Sequence, residues 1–89
     1  MLPVDRIRFH VVRARDLPEG PGRDRETVLL MADALIEERR NTGAGTAEAL
    51  RERYGFDQAE LARHAVQALD EATRRFVGGN MVDPVAAAA

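Results

Sequence analysis

The four residues Tyr54-Gly55-Phe56-Asp57 leave the chain around them few conformations. A helix running into Tyr54 ends at Gly55, a residue that takes the left-handed backbone without a Cβ clash. Asp57 and Glu60 have the form of a capping box, with Asp in the Ser/Thr place. The Asp57 carboxylate accepts from the Glu60 N–H, and the Glu60 carboxylate reaches back to the Asp57 N–H. Phe56 and Leu61 flank the box at the spacing of a hydrophobic staple, which fixes the angle of the second helix. Residues 46–76 therefore spell helix, corner, helix.

What surrounds the corner is short. An 89-residue chain is one domain, expected over residues 1–80, with residues 81–89 as a flexible tail. A core built from so few residues buries only about 60% of the chain's surface. There is no Cys, so neither disulfides nor thiolate metal sites supplement that core. Small scaffolds without such staples gain stability by associating, which makes a homo-oligomer or a protein partner the expected state.

Periodicity supplies the other elements and an all-α fold of three to four helices. In residues 3–17, Val4, Ile7, Val11 and Ala14 recur at spacings of 3, 4 and 3, the stripe of an amphipathic helix. The same segment also alternates, Ile7, Phe9 and Val11 against Arg6, Arg8 and His10, as a strand would. Such a strand has no mate elsewhere in the chain and would have to pair with another copy. Residues 18–22 hold two prolines and two glycines and read as a loop. Asp24 is placed to cap a helix over 25–40, whose broad apolar face makes it the expected centre of the core. Thr46 caps a short helix over 47–54, too brief to stand unless Leu50 and Tyr54 dock. The last helix, 58–77, carries a heptad seam at Ala62, Ala65, Leu69, Ala72 and Phe76.

Catalysis finds little to work with. The chain lacks Ser, Cys, Lys and Trp, and all 13 basic residues are Arg. Three of the four side chains that act as activated nucleophiles are thus missing. His10 and His64 lie far apart and without metal-ligand spacing, and Glu37-Glu38 reads as the polar end of a helix. The Gly43-Ala44-Gly45-Thr46 stretch lacks both the strand of a dinucleotide fingerprint and the Lys of a P-loop. No enzyme, metal or cofactor is expected. No apolar run approaches the length of a membrane span, and the N-terminus has no secretory pattern, so a cytoplasmic protein is expected.

Two function classes follow. In the first, the protein is a non-catalytic interaction module, presenting Leu69, Ala72 and Phe76 to another chain, with Ile7 and Val11 beside them. In the second, DNA is the partner. Residues 47–69 look like a helix-turn-helix, which implies that Gln58, Arg63, His64 and Gln67 meet the major groove. Glu60, Asp70 and Glu71 on the same helix oppose phosphate. The strand reading of 3–17 instead resembles the ribbon-helix-helix repressors. That resemblance implies Arg6, Arg8 and His10 in the groove and a dimer body built from the following helices. The loop at 18–22 and the stop at Gly55 both depart from its pattern.

Overall fold

The structure is a computed structural model that describes residues 2–78, with side chains as far as Arg75. It is all-α. Four helices follow in order: α1 (Pro3–Ala14), α2 (Pro21–Thr42), α3 (Ala47–Tyr54) and α4 (Gln58–Gly78). The long α2 packs on the three others, α1 and α4 each also touch α3, and α2 with α4 forms the largest of these interfaces. The proposed tail, 81–89, and the Phe76 side chain lie outside the described residues.

The N-terminal segment is a helix. Ile7, Val11 and Ala14 are buried and Val4 packs against the same cluster, which is the stripe that the 3-4 spacing predicts. Phe9 and Val12, off that stripe, stay exposed. The helix wins because it buries Ile7 and Val11 inside the chain, worth roughly 1.5–3 kcal/mol each, whereas a lone strand leaves its backbone unpaired.

The start of α2 differs from expectation. The helix begins at Pro21, so the loop stops at Gly20, whose φ of 147° turns the chain into the helix. Proline suits the first helical position because the N–H it lacks would have no acceptor there. Asp24 is not the cap. It lies in the first turn, its N–H donating to the Gly20 carbonyl at 3.0 Å and its charge favoured by the helix dipole. Along α2, Val28, Leu30, Met31, Ala32, Ala34 and Ile36 are buried on more than one side, as befits a helix with three neighbours.

The corner takes the shape its residues specify. Thr46 Oγ1 accepts from the Ala49 N–H at 3.1 Å, and Gly55 has a φ of 84°. The Gly55 and Phe56 N–H groups both turn back to the Leu50 carbonyl. Both bonds of the capping box form: Glu60 N–H to Asp57 Oδ1 at 2.7 Å, and Asp57 N–H to Glu60 Oε1 at 2.9 Å. Phe56, Leu61, Leu50 and Tyr54 are all buried in the main core.

Two long-range ties hold this corner to the other helices. Arg15, just past α1, grips Glu60 with two N–H groups at 2.6 and 3.2 Å and the Gly55 carbonyl with a third contact at 2.6 Å. That hydrogen bond to Glu60 raises the Arg15 pKa against the lowering effect of burial. On the other side, Glu38 is buried. It accepts from Tyr54 Oη and from Arg53, each at 3.1 Å, pinning α3 to α2. Glu38 is therefore part of the interior polar network, not a solvated helix end. Burial, followed by this hydrogen bond, pushes the Tyr54 phenol well above its ordinary pKa.

Candidate interaction surface

Helix α4 presents three distinct arcs. Leu61, His64, Ala68 and Ala72 are buried, with Ala65 half-buried beside them. This is not the expected seam. The expected seam centred on Leu69, but Leu69 is 59% exposed and Ala62 is exposed, so the contact face is rotated away from both. The reason is steric. Fully buried Ala32 on α2 clusters with Ala72 in a row on α4 that is also small at Ala68, and small residues at a contact let the helices approach closely. A large Leu in the middle of that contact would hold them apart.

A second arc holds all the charge. Glu60, Arg63, Asp70, Glu71, Arg74 and Arg75 lie on one side of the helix, where the open groove between α4 and the start of α2 measures about 660 Å³. Its cations meet acids. Arg63 lies 3.7 Å from Asp24, Arg25 4.0 Å from Glu71, and Arg74 2.7 Å from Asp70 and 3.1 Å from Glu71. Arg75 bridges Asp33 and Glu71.

The third arc faces solvent and carries no charge. At about 100° per residue, Gln58, Ala59, Ala62, Ala65, Val66, Leu69 and Thr73 share about 120° of the circumference. All but Ala65 are exposed, and Val66 is 83% exposed, the most exposed of the large apolar side chains described. The strip runs for about 22 Å at 1.5 Å per residue. Alongside its C-terminal half, Leu35, Arg39, Gly45, Leu69, Ala72 and Thr73 line a shallow groove of about 220 Å³. Gly45 makes that wall possible: a Cβ there would come within 2.9 Å of Leu35 Cδ2 and 3.3 Å of the Leu35 carbonyl oxygen.

Of the residues singled out for association, Leu69 alone reaches solvent with its side chain described. Ile7 and Val11 pack in the chain's own core, and Ala72 packs with Ala32 and Ile36. The DNA candidates are dispersed. Arg6 and Arg8 project from α1, a helix rather than a ribbon, and are exposed. Arg63 and Gln67 line the groove with Asp24, Asp70 and Glu71. His64 is buried rather than solvated, its Nε2 3.7 Å from Asp24.

Val66 escaped sequence reasoning, although a signal existed: the charges of α4 are confined to one side, and Val66 falls in the arc they leave free. By contrast, the exposed Phe9 of α1 is partly covered by its own neighbours, with the Arg13 guanidinium 5.6 Å from its ring centre and the His10 ring edge-on at 5.5 Å. The hydroxyls of Thr27 and Thr42 donate to backbone carbonyls, and that of Thr46 serves its cap. Among the described residues, no group of three acids or histidines converges as a metal site, and no helix is long and apolar enough to cross a membrane. Against protein-family models, curated proteins and solved structures, the chain finds no significant match.

Proposed function

We propose that the protein is a small helical protein–protein interaction module, without catalytic activity, whose docking surface is the uncharged arc of α4. The observation that carries this reading is the pairing of Val66 and Leu69, 83% and 59% exposed, on a strip from which every charged residue of the helix is excluded. An isolated surface Leu needs no explanation; a charge-free strip about four turns long on a helix otherwise rich in Arg and Glu does. A strip of this shape accepts another helix laid along it, the usual way an amphipathic helix is bound.

The DNA alternative draws less support from the geometry. Arg63 and Gln67 share their groove with three carboxylates, and those acids oppose the phosphate contacts on which nucleic-acid affinity depends.

The test is site-specific photocrosslinking in the cells that make the protein. A photoreactive side chain replacing Val66 is expected to give a protein adduct of defined mass. The same group replacing Glu52, exposed on α3, is expected to give none. Equal yields, or no adduct from either position, would remove the proposal.

A further inference from the structure

Resting on that reading, we infer that the occupant of the uncharged arc is a second copy of this chain, its α4 packed antiparallel against the first. Two copies related by a two-fold axis present the same patch to each other, so the patch must complement itself when turned end over end.

The arc meets that condition about one point, midway between Val66 and Gln67. With each copy reversed about it, Leu69 of one chain falls level with the gap between Ala62 and Val66 of the other. A large side chain then enters a hole rimmed by small ones, as knobs-into-holes packing requires. The same reversal brings Arg63 level with Asp70 of the second copy, and Asp70 level with its Arg63. Both residues lie on one edge of the arc, where flanking charges set orientation and partner choice in paired helices.

Both side chains reach solvent, Arg63 66% and Asp70 72% exposed, while each also has an ion pair within its own chain. Their partners within the chain, Asp24 on α2 and Arg74 on α4, line the same groove and would join the network rather than block it. A parallel two-fold arrangement would carry the Arg63–Asp70 edge of each copy to opposite sides of the contact, where neither residue meets a charge of the other α4, so the charges favour the antiparallel one.

Sedimentation of the full chain at micromolar concentrations tests this, with charge exchange as the discriminating arm. The wild type is expected to dimerise reversibly, and Leu69→Arg to abolish the dimer while far-UV circular dichroism stays unchanged. Arg63→Asp and Asp70→Arg each set like charges together twice and are expected to weaken self-association about ten-fold. Mixed together, these two variants complement each other at both positions and should form a heterodimer as tight as the wild-type homodimer. A wild-type monomer throughout, a dimer indifferent to Leu69→Arg, or no preferential pairing in the mixture would each overturn the inference. A monomer that still crosslinks through position 66 to a different protein would overturn only the second-copy occupant and leave the interaction module standing.

Discussion

The inward and outward arcs of α4 are built from similar material, yet the fold treats them oppositely. The inward arc, Leu61, His64, Ala68 and Ala72, is sealed against α2 and α3. The outward arc, Ala62, Val66, Leu69 and Thr73, meets water. Neither arc carries an Asp, a Glu or an Arg. What separates them is the neighbour: α2 offers small residues to the first, and nothing in the described chain covers the second. Apolar composition therefore marks where a helix is able to pack, while size at the contact decides which side the chain's own helices claim.

Mutations on the two arcs should diverge accordingly. The largest loss is expected beneath the inward arc, at the corner that aims α4. Phe56 is 1% exposed, and Phe56→Ala should cost about 3–5 kcal/mol in denaturant unfolding. Next, Ala68 is fully buried at the α2 contact, and Ala68→Leu should cost about 1–3 kcal/mol by forcing the helices apart. Little change there would mean that the contact is loose and the two arcs are less different than they look.

Tyr54→Phe sharpens the comparison from the other side of α2. It leaves the buried Glu38 carboxylate with Arg53 as its remaining side-chain donor and should cost about 1–2 kcal/mol at neutral pH. The raised pKa of Tyr54 also sets a pH dependence. Above the unfolded tyrosine value of about 10, the unfolded chain releases this proton and the native chain retains it. Wild-type stability should thus fall as pH rises past that value, and the Tyr54→Phe profile should be flatter over the same range. Equal slopes would show that the buried phenol is not the group responsible. The smallest effect belongs to the outward arc: Val66→Ser should change the stability of the dissociated chain by no more than about 0.5 kcal/mol.

Local chemistry was legible in the sequence; distant contacts were not. Gly55, Asp57, Glu60 and Thr46 act on residues a few positions away, so capping and turn rules place the corner and both helices that meet there. The N-terminal stripe of Val4, Ile7, Val11 and Ala14 likewise identifies α1. Proline content hid the true start of α2, because a proline at the first helical position does not break a helix. The rotation of α4 was hidden for another reason. Hydrophobic weighting favours Leu69 over Ala68, and only the opposing face of α2, with Ala32 against Ala72, shows that small residues belong inside. Burial of Glu38 and His64, and the Arg15–Glu60 clamp spanning 45 positions, likewise depend on partners far along the chain.

The central claim is that another chain covers the outward arc when the protein is at work. Because the chain has no cysteine, a single one at Val66 or at Glu52 reports on its own position by alkylation. In dilute purified protein the two thiols should react at similar rates, both being exposed. Inside the cells that make the protein, the account predicts that the thiol at 66 reacts about ten-fold more slowly than the thiol at 52, because reactivity follows access. Equal rates in the cell would contradict it.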